Sequence, residues 1–170
     1  MIVYYSGHGL PTEDTHEAAL IPVDVSGTDM TSAIKLSDVY AQLTQYPVQR
    51  VTVFLDACFS GGARNQPLIA MRGIKVPPKE ETLSGNLIVF SSSTGEESSG
   101  AYHKKQHGMF TYFLLKKLQE TKGDVTYKEL SDYIYDNVRE ESVLVNEKLQ
   151  TPQTLVSPDF SERWETFKLK

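Results

Sequence analysis

The chain has 170 residues, of which 39% are hydrophobic and 23% charged, and its formal net charge is −5. That length and composition suit one globular domain, and the acidic balance argues against general nucleic-acid binding, which needs a basic face. A single cysteine excludes an internal disulfide framework and a cysteine-rich zinc site. No apolar run approaches a membrane span and no signal peptide is visible. A soluble protein is expected, with the cytoplasm favoured as its compartment.

Ile2 to Tyr5 reads as a short apolar strand that ends in Ser6-Gly7-His8-Gly9. Leu10 to Met30 follows as a loop, a strand or hairpin arm over Ala18 to Val23, and a second loop. Ser37 is placed to cap a helix whose apolar positions Val39, Leu43 and Tyr46 fall at helical spacing, and Pro47 ends it. This helix would be the crossover to the next strand, and such crossovers favour parallel pairing. Val51 to Leu55 is an unbroken apolar or β-branched run, the pattern of a strand buried on both faces of a parallel sheet. It stops at Asp56, and Cys58 comes two residues later, before Gly61 and Gly62, which permit tight turns. Residues 63–85 show no clear period and carry Arg64, Arg72, Lys75, Lys79, Pro77 and Pro78. So long a loop is either functional or plainly solvated.

Leu87 to Phe90 is a third buried-type strand, ending in the polar run Ser91 to Glu97. His107-Gly108 opens a helix with Met109, Phe110, Phe113, Leu114 and Leu118 on one face and Gly123 beyond its end. These aromatic and Met side chains read as core. Thr126 with Glu129 has the capping-box pattern, and Leu130, Ile134 and Val138 form the buried face of the helix it starts. Gln153 to Ser157 is a candidate last strand. Asp159 to Lys170 reads as an amphipathic tail with Trp164 and Phe167 as anchors.

A lone thiol at the carboxyl end of a buried strand sits where open α/β sheets bind ligands. A buried structural cysteine gives the same local pattern. His8 ends another strand, again framed by glycines, so parallel neighbouring strands would bring imidazole to thiol. Cys–His is a standard arrangement for an activated nucleophile.

Tyr4-Tyr5-Ser6-Gly7-His8-Gly9 together with Asp56-Ala57-Cys58-Phe59-Ser60-Gly61 resembles the caspase-like cysteine peptidases, most closely their metacaspase-like and bacterial members. The interval from His8 to Cys58, about fifty residues, is the caspase spacing. Ala19 to Asp24 and the His107-Gly108 helix resemble the same proteins. The resemblance implies an α/β fold: a three-layer sandwich with a mostly parallel central sheet and helices on both faces. It spans residues 1–157 as a catalytic domain, with 158–170 as a C-terminal tail. It implies a His8/Cys58 dyad with no third member, and an oxyanion hole from the backbone N–H groups of Gly9 and Cys58. Maturation cleavage, including self-processing, is expected in loop 63–85. Caspase-like domains carry strands ahead of the histidine strand that this sequence lacks. Ile2 to Tyr5 would then present an open sheet edge, completed by a second chain or a homodimer, or left by truncation.

Asp56 departs from the caspase pattern, which has Gln there. In the family this side chain lines the pocket for the residue before the cleaved bond. A carboxylate there would select Arg or Lys and repel Asp. The alternative is an Asp that merely ends its strand by accepting backbone N–H bonds. Ser92 and Glu96, at the end of the third strand, are further candidates for substrate binding, with Glu97 beside them, against the reading of a solvated acidic loop. No cofactor is expected. Calcium activation is the one exception the resemblance raises, with Asp14, Glu17, Asp24 and Asp29 as candidate acids that lack EF-hand spacing. The expected activity is a cysteine endopeptidase acting on protein or peptide. A non-catalytic or incomplete caspase-like interaction module is the rival. Another α/β thiol hydrolase lacks its nucleophile-elbow motif here.

Overall fold

The computed structural model describes residues 1–12, 14–24, 32–59 and 82–170. Its centre is a four-stranded sheet in the order β1 (Ile2–Ser6), β5 (Val51–Asp56), β6 (Leu87–Ser91), β9 (Gln153–Val156). The first three are parallel and β9 runs antiparallel to β6. Every residue of β5 and β6 is buried, which is why both read as continuous apolar runs rather than alternating ones. The register places Ser6 opposite Asp56 and Leu55 opposite Ser91, so all three parallel strands end at one edge.

Side chains of β5 alternate between two cores. Val51, Val53 and Leu55 pack with Leu87 and Val89 against Leu36 and Tyr40 of α1 (Leu36–Thr44). Phe54 stacks on Phe90 at 5.1 Å on the opposite face, beneath α2 (Met109–Thr121) and α3 (Tyr127–Asn146). The result is the expected three-layer α/β sandwich, with helices on both faces of a mostly parallel sheet. Thr126 caps α3 as its sequence pattern requires: its hydroxyl oxygen accepts from the Glu129 amide, and the Glu129 carboxylate accepts from the Thr126 amide.

Two local expectations change. His8 does not hang beyond a strand but begins one, β2 (His8–Pro11), which pairs antiparallel with β3 (Ala18–Ile21), itself paired with β4 (Ile34–Lys35). The glycine between β1 and β2 lets the chain leave one sheet and enter the other. Ser37 lies inside α1, not at its cap; Lys35 holds that position, two residues earlier, with Leu36 and Tyr40 buried. In segment 158–170 the expected anchors Trp164 and Phe167 pack against the core, and further residues join them. Phe160 is fully buried, the Leu169 amide bonds to the Val125 carbonyl, and Arg50 donates to the Lys168 and Leu169 carbonyls while lying 5.1 Å from the Phe167 ring. At the other side β1 stands at the sheet edge, with Ile2 and Tyr4 exposed.

Between β6 and α2 the chain forms a hairpin of β7 (Ala101–Tyr102) and β8 (His107–Gly108). Tyr102 ties it to α3 by donating to Glu141 at 2.6 Å, a bond that pushes the phenol up from 10.0 to about 12. The folded value lies above the unfolded one, so the stability this contact gives is complete below pH 10 and is lost as pH rises toward 12. Tyr102→Phe should therefore be less stable than the parent in urea melts below pH 10, with the difference shrinking across that window. A difference that persists unchanged to higher pH would show that the hydroxyl contact is not its source.

Candidate active site

The site lies at the carboxyl ends of β1 and β5. Gly7 donates its amide to the Asp56 carbonyl at 3.3 Å, so the register survives one residue beyond β1. His8 and Cys58 each stand two residues past the matched pair Ser6 and Asp56. The chains remain in contact there. A Cβ placed on Gly9 would come within 2.4 Å of the Phe59 ring and 3.0 Å of the Cys58 carbonyl oxygen. Only glycine allows this approach, which sets the His8-Gly9 backbone directly against Cys58-Phe59. His8 itself is exposed, whereas Cys58 is only 5% exposed.

Cys58 is covered by the segment that follows β6. The Ser99 amide donates to its sulfur at 2.7 Å, and the thiol faces the Ser99 carbonyl at 3.6 Å. Gln150 fastens both ends of this covering segment: its side-chain N–H donates to the Ser92 carbonyl at 2.8 Å and its oxygen accepts from the Gly100 amide at 2.7 Å. Glu97 adds a third tie by accepting from the amide and hydroxyl of Thr151.

Asp56 is fully buried. Its carboxylate accepts from the Ser99 hydroxyl at 2.7 Å and from the Thr111 hydroxyl at 2.5 Å. Thr111 in turn shares a 2.7 Å hydrogen bond with the Tyr4 hydroxyl. Beyond Thr111 opens a cleft of about 540 Å³, lined by Tyr4, Ser6 and Thr111 and by His103, Gln106 and His107 from the hairpin.

Of the residues named from sequence, His8, Gly9, Asp56 and Cys58 converge on this one edge. Ser92 lies behind it, fully buried, with its hydroxyl donated to the Ala57 carbonyl at 3.1 Å. Glu96 is exposed on the covering segment. Two of the calcium candidates have other partners. Glu17 accepts from the Lys35 ammonium and from the Thr15 hydroxyl, Asp14 accepts from the Thr15 amide, and Asp29 lies outside the described residues. Among the described residues no three ligating groups gather. Residues 63–81 of the expected processing loop also lie outside them.

Sequence reasoning passed over Tyr4, Ser99, Thr111 and Gln150 as members of the site. One signal was available. Thr111 is a polar residue inside the run of buried positions Met109, Phe110, Phe113 and Leu114, and a buried hydroxyl needs a partner.

This arrangement, paired strand ends carrying histidine and cysteine on a parallel sheet sandwiched by helices, defines a caspase-type α/β domain. A family model described as the caspase domain matches residues 1–160, and the chain belongs to that family, whose members are cysteine peptidases. Two solved structures share the fold. Caspase-1 from Spodoptera frugiperda is 14% identical, with a TM-score of 0.60 over 91% of this chain. A protein of Geobacter sulfurreducens is 17% identical, with a TM-score of 0.64 over 99% of this chain and 71% of its own. The chain spans 58% of the length of the Spodoptera caspase. No curated protein matches its sequence. No helix among the described residues is long and apolar enough to cross a membrane.

The Asp56 clamps give a stability test. Ser99→Ala removes one hydroxyl donor from a buried carboxyl group and should cost about 1–3 kcal/mol in denaturant unfolding. An unchanged midpoint would mean the hydroxyl contributes nothing to holding the charge.

Proposed function

We propose that the protein is a cysteine endopeptidase that cleaves after Arg or Lys, with His8 and Cys58 as its catalytic pair. The observation that carries this reading is the meeting of the Gly9 backbone with Cys58, two residues beyond a buried carboxylate at the same sheet edge. Cys58 attacks the scissile carbonyl carbon through its sulfur. The oxyanion that forms is met by the backbone N–H groups of Gly9 and Cys58. His8 delivers a proton to the departing amine, leaving a thioester that water then hydrolyses. Asp56 supplies the negative charge that selects a basic side chain. Self-cleavage at the basic residues of loop 63–85 is part of the same proposal. Calcium has no assigned role in it.

One observation favours the rival reading of a non-catalytic module: the thiol is nearly covered and already engaged with Ser99. Turnover requires the covering segment to yield to substrate. The deciding assay is hydrolysis of matched fluorogenic peptides ending in Arg, Lys or Asp, with calcium in one set and chelator in another. Cleavage after Arg or Lys is expected, lost in Cys58→Ala and reduced at least about a hundredfold in His8→Ala. Preference for Asp would sink the specificity, and no cleavage by folded protein would establish the module instead.

A further inference from the structure

Tyr5 belongs to β1, yet its hydroxyl serves the other sheet. It donates to the His8 carbonyl at 2.7 Å and shares its proton with the Ile21 carbonyl at 3.2 Å. His8 and Ile21 face each other as the end pair of the β2–β3 ladder. One phenol therefore holds both strands where the chain leaves the large sheet. The turn between wraps closely on it: a Cβ added to Gly7 would stand 2.6 Å from the Tyr5 oxygen. The ring packs against the core shared with α1, and burial pushes the phenol up, so the hydroxyl keeps its proton. His8 by contrast is exposed. Packing does not fix its imidazole, and the reach of the ring is set by how its backbone is held. The peptide before His8 is tied to β5 by the Gly7 amide at the Asp56 carbonyl. The peptide after it is tied by Tyr5.

We infer that Tyr5 is a positioning residue for His8: its hydroxyl, donated to the His8 and Ile21 carbonyls, fixes the branch point of the two sheets and so holds the imidazole in reach of Cys58. This rests on the proposed His8/Cys58 pair and adds the group that keeps one member of it in place. The neighbouring tyrosine cannot substitute. Side chains alternate along a strand, and Tyr4 points to the opposite face, where its hydroxyl meets Thr111. Packing and donation are also separable at position 5. A phenyl ring keeps the contact with the core, and only the hydroxyl supplies the proton.

The test reads the approach of imidazole to thiol and needs no turnover. Ring resonances of His8 in the isotope-labelled full chain, assigned with His8→Ala, are compared with and without Cys58→Ala. In the parent, Cys58→Ala should displace them. In Tyr5→Phe that displacement should shrink about three- to tenfold, the worth of one hydrogen bond. 4-Aminophenylalanine at position 5 keeps an N–H donor and should restore it. 4-Fluorophenylalanine fills the space of the oxygen without a proton and should not, and this pair decides if Tyr5→Phe does not fold. In the peptidase assay, Tyr5→Phe should lower kcat about three- to tenfold with KM changed less than about twofold. Added to His8→Ala, it should lower the residual rate no further, whereas a merely structural loss would add. A displacement as large in Tyr5→Phe as in the parent, no rescue by the amino analogue, or an additive loss overturns the inference and leaves the catalytic pair standing. No displacement in the parent removes the pair and the inference together. A displacement lost in Tyr5→Phe, in a chain that cleaves no peptide, would remove the peptidase reading and keep the role of Tyr5.

Discussion

A carboxyl group with no exposed surface is costly to bury unless its oxygens find hydrogen-bond partners. Asp56 is in that position, at the end of a strand buried along its whole length. Its demand shapes the surrounding chain. The segment after β6 has to fold back so that Ser99 reaches one oxygen, and α2 has to begin where Thr111 reaches the other. Once Ser99 is fixed by its hydroxyl, its amide lands on the sulfur of Cys58. The surroundings of the thiol thus follow from satisfying a charge two residues before it.

A second constraint keeps that arrangement still. Gln150 spans the covering segment from Ser92 to Gly100 with its two ends, and its own amide donates to the Ser142 hydroxyl of α3. Glutamine suits the task because one side chain carries both a donor and an acceptor. A buried amide with both ends satisfied holds a loop nearly as firmly as secondary structure would. The site is therefore built on fixed strand ends beneath a braced covering segment.

Much of this was legible in the chain. The runs at Val51 and Leu87 announce strands buried on both faces, and Thr126 with Glu129 announces the start of α3. His8 and Cys58 announced themselves as polar groups at strand ends framed by glycines. The small sheet of β2, β3 and β4 was harder to read. Its pairing depends on where Gly7 redirects the chain, and two-residue β4 is too short to show a period. The hydroxyl partners of Asp56 were hidden for another reason. They lie 43 and 55 residues away in sequence, and nothing local in a serine or threonine states which distant carboxylate it will serve. Phe160 and Leu169 likewise look like parts of an amphipathic tail until the core they complete is built.

The distances along the chain between Asp56 and its donors also bear on synthesis. A ribosome delivers β1 and β5 well before Ser99, Thr111 and finally Gln150. Until they emerge, the carboxylate lacks the Ser99 and Thr111 hydroxyls, the loop lacks its Gln150 brace and the thiol lacks the Ser99 amide. The surroundings of the thiol are therefore completed only well after both strand ends have been made.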